Sequence, residues 1–302
     1  MGNIVYHQMR LRRQDINAFG EASGQIRVRF SVISIFLLLF CLSQKRMIFS
    51  EKIKKTLSSL NYFCRSQNFN CGSYVCSNKI LMYHNITDAP ITRFEVPVDS
   101  FAKQMRFLFK NKYEVIELAE AIKEIGGNQK ERKVVITFDD GKREIYENAL
   151  PILKNYGFKA TVFLISDFLS DDRNNEYLTI AQIKKMQSCE ISFGSHSCSH
   201  KKLTELPAAQ SQKEIRDSKT KIEEITGSEI KFFSYPGGFF NENMERMVRD
   251  SGYAAACSTI MYGSNSIEDL YRLKRLWIIG NDSLSDFRMK LSGAYDWIAK
   301  IK

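Results

Sequence analysis

Between residues 79 and 279 short apolar runs alternate with longer amphipathic stretches. The runs at 79–83, 113–116, 134–138, 160–165, 191–193, 230–233, 253–258 and 273–279 read as seven or eight strands. Between them, Phe101, Met105, Leu108 and Phe109 fall at i, i+4, i+7 and i+8, one apolar helical face, with Asp99 or Ser100 placed to cap it. A second helix over 118–125 ends at Gly126-Gly127. The helix at 142–156 carries Pro151, which kinks or restarts it, and Gly157 ends it. Ile215, Ile222 and Ile225 mark the buried face of a helix over 208–226, closed by Gly227, and a further helix covers 241–251. Strands alternating with helices predict an α/β fold with a parallel barrel, in which a site belongs at the C-terminal ends of the strands.

Two strand ends carry chemistry. Val134 to Phe138 runs directly into Asp139, Asp140 and Gly141. Aspartate is poor in strands and two together repel, so the pair implies a cation: one carboxylate can ligate it while the other stays free as a base. An Asp-Asp-Gly turn is the alternative on this stretch alone. The run at 191–194 leads into His196 and His200, two of only four histidines in the chain. Histidines four apart can serve one metal, and with an acid they make a two-histidine, one-carboxylate site suited to metal-assisted hydrolysis. Ser197 and Cys198 lie between them, but a covalent nucleophile would need a base that these histidines, as ligands, cannot provide.

These motifs, and the whole stretch from Val135 to Leu164, resemble the polysaccharide deacetylases, the NodB-homology carbohydrate esterases, over roughly residues 79–292. The resemblance implies a distorted (β/α)7 barrel. It also implies a divalent metal, Zn2+ first among them, on Asp140, His196 and His200, with Asp139 as base. No histidine follows His200, where most of the family places its acid. The chain is most similar to a circularly permuted branch that includes poly-β-1,6-N-acetylglucosamine deacetylases, with Tyr-His at the domain start, and this gives the acid role to His84. Where the family commonly has Arg-x-Pro-Tyr, this chain has Ser234-Tyr235-Pro236-Gly237, so the arginine that positions the base is missing there. Arg275 is the candidate replacement, the Gly237 N–H the candidate oxyanion donor, and Tyr235, Pro236 and Trp277 candidate walls of the substrate site. Lys142 stands where the family usually has an aromatic or apolar residue. The implied reaction is hydrolysis of N-acetyl groups on an N-acetylhexosamine polymer or glycan. An O-acetyl esterase and a carbohydrate-binding protein with an inactive site are the alternatives.

Composition changes this picture little. A formal charge of +10, from 44 basic and 34 acidic residues, is spread along the chain, and no nucleic-acid motif accompanies it, so nucleic acid is not expected as a partner. Residues 30–42 form an apolar run of thirteen, short for a spanning helix and suited to a signal or anchor segment, with arginines before it and Lys45-Arg46 after it. Residues 1–46 are therefore expected to be a tail with membrane or extracytoplasmic address, 47–78 a spacer and 79–302 the catalytic domain; a start at Met47 would make the protein cytoplasmic. Seven cysteines leave at least one unpaired, and the cluster Cys64, Cys71 and Cys76 matches no metal pattern.

Overall fold

Seven short parallel strands wrap around an interior that is apolar at one end and polar at the other. In the computed structural model, which describes residues 51–66, 78–127, 132–169 and 176–300, they are β1 (Lys79–Tyr83), β5 (Lys133–Phe138), β6 (Ala160–Leu164), β7 (Ile191–Ser195), β8 (Phe232–Ser234), β9 (Ala255–Cys257) and β10 (Leu276–Trp277). Their order is β10-β1-β5-β6-β7-β8-β9, β4 (Glu114–Val115) pairs with the start of β5, and β2 (Asn85–Ile86) and β3 (Glu95–Val96) form a separate parallel pair. The seam between β9 and β10 is closed by the segment leading into β10: Leu273 donates to the Ala256 carbonyl at 2.8 Å and Ser258 donates to the Leu273 carbonyl at 2.9 Å. This is the distorted seven-stranded barrel. The run 273–279 registers as only two strand residues because Leu273 serves that seam while Leu276 and Trp277 pair with β1.

Successive strand residues face opposite sides. Leu81, Tyr83, Ile136, Phe138, Val162, Leu164 and Phe233 pack against the helices in the large core, whereas Ile80, Val135, Phe163, Phe232, Cys257 and Leu273 form a second, inner cluster. Continuing the inner row by twos reaches His84, Thr137 and Asp139, His196, Ser234, and Arg275. The site residues are therefore the upper continuation of the barrel's own filling. Gly194 belongs to the same row, and the Phe163 ring occupies the space its side chain would take: a Cβ there would lie 2.6 Å from two ring atoms.

The helices are α2 (Val98–Lys110), α3 (Leu118–Lys123), α4 (Leu150–Tyr156), α5 (Ile180–Gln187), α6 (Ala208–Thr226), α7 (Glu242–Asp250) and α8 (Leu284–Leu291). α2 begins one residue earlier than Asp99, after Pro97, and no side chain caps it. Phe109 is 57% exposed, because it lies about 80° round the helix from Phe101, and its ring rests against Tyr156 at 5.2 Å. A π-helical turn, Ile145–Ala149, precedes α4, so Pro151 restarts that helix at its first turn, where its missing N–H costs nothing. Within the expected spacer, Glu51–Ser66 forms a further helix, α1, tied to α8 by Lys55–Asp286 at 2.7 Å; the compact unit spans Ser50–Ala299. The run 30–42, Cys71 and Cys76 lie outside the described residues. No helix among the described residues is long and apolar enough to cross a membrane.

Gly194→Ala is expected to destabilise the protein by about 1–3 kcal/mol through overpacking against Phe163, read as a lowered midpoint in urea unfolding with an unchanged slope. Wild-type stability in that variant would show that the inner row is not packed as described.

Candidate active site

The end of β5 presents two aspartates in different environments. Asp139 is buried, and its N–H donates to the Tyr83 carbonyl at 2.9 Å, which continues the β1–β5 pairing. Arg275, also fully buried, meets it in a bidentate pair: Nη1 to Oδ1 and Nη2 to Oδ2, both 2.7 Å. The remaining guanidinium donors go to Thr137 Oγ1 (3.2 Å), Ser234 Oγ (3.0 Å) and the Ser258 carbonyl (3.0 Å). All five N–H groups of the arginine are thus used. The Ser234 hydroxyl donates in turn to Asp139 Oδ2 at 3.3 Å. Burial pushes the Asp139 carboxyl up, but the Arg275 charge, helped by His196 and His84, overrides it and holds the group well below the usual carboxylate range.

Asp140 turns away from this pair. It adopts a left-handed conformation, φ +70°, uncommon for a residue with a Cβ and typical of functional sites. Its Oδ1 is buried without a hydrogen-bond partner, 3.5 Å from His196 Nε2 and 3.4 Å from His200 Nε2. The three ligand atoms lie within 4.8 Å of one another. Ligands held about 2.1 Å from a tetrahedral ion are about 3.4 Å apart, so the two carboxylate–imidazole separations fit a zinc-sized cation. His196 Nδ1 lies 2.7 Å from the Ser234 carbonyl, which can only accept; the ring proton is therefore on Nδ1, and Nε2 presents a lone pair. Burial lowers the His196 pKa, with Asp139 and Asp140 opposing, which favours the neutral form a metal requires.

The two histidines converge through a turn rather than a helix. Ser197 and His200 both have positive φ, +65° and +58°. The turn is held by Ser197 Oγ accepting the His200 N–H (3.1 Å) and by Glu214 accepting from the N–H and hydroxyl of Ser199 (2.8 and 2.6 Å). The Cys198 thiol is pushed up to about 11, chiefly by burial, and so stays protonated and unreactive.

His84 follows β1. Its Nδ1 is buried without a partner, and its ring lies 5.1 Å from Phe94. Phe94 in turn is 6.1 Å from Trp277, whose indole N–H donates to the Thr259 carbonyl at 3.0 Å. Gly237, φ +62°, sits in the turn Pro236–Gly238 directly after β8, closed by the Gly238 N–H to the Tyr235 carbonyl at 2.8 Å. Tyr235 does not wall the site: its side chain is buried against Phe233 and Phe240, and its hydroxyl donates to the Tyr271 carbonyl. Pro236 is buried and starts the turn. Lys142 pairs with Glu176 and lies over the Tyr177 ring at 4.1 Å, so its charge is neutralised at the rim. Sequence reasoning missed Phe94, Glu214 and the Ser234 carbonyl; the first two sit in segments with no motif, and the third is backbone.

Residues 126–256 match the polysaccharide deacetylase family model. YxkH of Bacillus subtilis, whose name assigns it provisionally to the polysaccharide deacetylases, is 34% identical over 218 residues, 72% of this chain and 75% of that one. A poly-β-1,6-N-acetyl-D-glucosamine N-deacetylase of Staphylococcus epidermidis is 26% identical over 64% of this chain and 71% of its own. Among solved structures, the Streptococcus pyogenes deacetylase PplD in complex with acetate superposes with a TM-score of 0.66 at 26% identity, covering 71% of this chain and 97% of that one.

Removing one partner of the Arg275–Asp139 pair leaves a buried uncompensated charge. Arg275→Met is therefore expected to cost about 3–5 kcal/mol in urea unfolding at neutral pH, and Arg275→Lys to recover only part of it, since an ammonium cannot satisfy both carboxylate oxygens and three further acceptors. Because the folded carboxyl is depressed, the pair's contribution is complete above the ordinary carboxylate pKa of about 4 and is lost only as pH falls below it. The difference between wild type and Arg275→Met should accordingly shrink in strong acid. A difference independent of pH down to the acid transition would contradict this.

Proposed function

This chain belongs to the polysaccharide deacetylase family, and from that membership we propose that it hydrolyses N-acetyl groups from N-acetylhexosamine units of a polysaccharide or glycan with the help of a divalent cation, Zn2+ first among them. One observation carries the reading: a buried, unpartnered Asp140 oxygen with two imidazole nitrogens 3.4–3.5 Å away, beside a second aspartate held ionised by a buried arginine. Asp140, His196 and His200 would hold the cation. When bound, such an ion draws the pKa of a water toward about 7 and polarises a carbonyl oxygen.

The chain's own groups divide the remaining work. Asp139, ionised, accepts the proton of the attacking water. Arg275 and Ser234 fix its orientation, and the depressed pKa keeps it unprotonated through the working range. The price of that arrangement is a weaker base. The Gly237 N–H, directed by the turn after β8, donates to the oxyanion as the carbonyl carbon becomes tetrahedral. His84, in reach of the Asp139 field, gives a proton to the departing sugar amine as the carbon–nitrogen bond breaks. The products are acetate and a free amino sugar. The N-acetyl reading draws support from the Staphylococcus epidermidis relative, named for N-deacetylation. From its sequence we read residues 30–42 as a signal or anchor segment, which would place the polymer outside the cytoplasm.

Full-length protein is expected to release acetate from β-1,6- or β-1,4-linked N-acetylglucosamine oligomers, to lose this on chelation and to regain it with Zn2+. Asp139→Asn and His84→Ala should each lower kcat by about 10²–10⁴-fold while the oligomer still binds. Undiminished acetate release by Asp139→Asn would remove Asp139 as the base.

A further inference from the structure

Two phenylalanines follow Gly238, and the fold treats them oppositely. Phe240 stacks on Tyr235 at 5.1 Å and 23° and belongs to the core. Phe239 is left 47% exposed. Among the described residues, it is the exposed large apolar side chain that lies within two positions of a site residue; Ile53, Leu60, Ile91, Phe109, Ile267 and Leu284 do not. Its ring abuts Gly237 so closely that a Cβ on that glycine would lie 3.0 Å from two ring atoms. On the other side, Lys202, two residues beyond His200, places its ammonium 4.7 Å from the ring centroid. The ring therefore touches both the turn that carries Gly237 and the loop that carries His200.

The backbone beneath Phe239 is fixed. Gly238 packs on Thr259 with no room for a side chain: a Cβ would fall 1.9 Å from Thr259 Oγ1. The Thr259 carbonyl takes the Trp277 indole N–H, so one rigid turn supports both Phe239 and Trp277. Downstream, Asn241 Oδ1 caps α7 by accepting the Met244 N–H at 3.0 Å. An aromatic ring held this way loses little freedom when something stacks on it. A polymer substrate brings sugar units next to the one being deacetylated, and a pyranose ring has a face of C–H groups that packs on an aromatic ring while its edge hydroxyls stay wet. Lys202 supplies donors for such hydroxyls above the same ring.

We propose that Phe239 is the stacking platform for a sugar unit adjoining the acetylated one, and so sets the preference for polymer over monosaccharide. This rests on the deacetylase reading above. It deepens that reading by naming a residue that recognises substrate outside the reacting centre.

The test compares wild type, Phe239→Ala and Phe239→Trp, all full-length and Zn2+-loaded, with a methyl glycoside of N-acetylglucosamine and with β-1,6- and β-1,4-linked hexasaccharides. Dissociation constants come from NMR titration and calorimetry, and KM and kcat from acetate release. Phe239→Ala is expected to raise the hexasaccharide Kd and KM about tenfold, leave kcat within twofold, and leave monosaccharide affinity unchanged; Phe239→Trp should bind the hexasaccharide as wild type does. Equal loss for monosaccharide and hexasaccharide, no loss for either, or no hexasaccharide binding by wild type would overturn the proposal. If wild type binds the hexasaccharide but releases no acetate, the deacetylase reading fails, while the binding comparison still decides the role of Phe239.

Discussion

The site depends on a guanidinium inside a barrel. Arg275 brings a full charge into the upper interior, where desolvation opposes it, and it is tolerable there because Asp139 neutralises it and Thr137, Ser234 and Ser258 take its other donors. The same bonds immobilise Asp139, and Ser234 then joins the pair to the Asp140–histidine half of the site, since its carbonyl fixes the His196 tautomer. Four strand ends, β5, β7, β8 and β9, are thereby coupled through one arginine that precedes β10. A change in this unit is felt in the orientation of Asp139 and in the His196 lone pair together.

Above this polar layer the backbone leaves regular structure to separate roles that sequence places side by side. Asp139 continues the inward row of β5, and the left-handed Asp140 redirects the next carboxylate toward the histidines. Ser197 and His200 do the same after β7. Such conformations are unfavourable alone; after β7 they persist because the Ser199 N–H and hydroxyl donate to Glu214 and the His200 N–H donates to Ser197 Oγ. The barrel supplies position, and the strained turns supply direction.

Much of this was legible in the sequence. The strands, the boundaries of the 208–226 helix, the aspartate pair and the histidine pair follow from local composition and spacing. Arg275 could be named as a candidate but not distinguished from a surface arginine, because its burial is a property of strand order: β10 lies beside β1, next to β5. The motif sets the backbone position of Tyr235 but not which way its side chain turns, which is into the core. Phe239 and Phe240 are identical in sequence and opposite in fate. Phe94 reaches His84 from a loop with no periodicity to announce it.

The most direct test of the account is equilibrium Zn2+ binding to the full-length protein by competition with a chelator of known affinity, with metal content measured alongside. One ion per chain is expected, with at least 100-fold weaker binding after His196→Ala or Asp140→Ala and little change after Phe239→Ala. Affinity and stoichiometry that survive the loss of both His196 and Asp140 would show that the cation is held elsewhere and would contradict the assignment of this site.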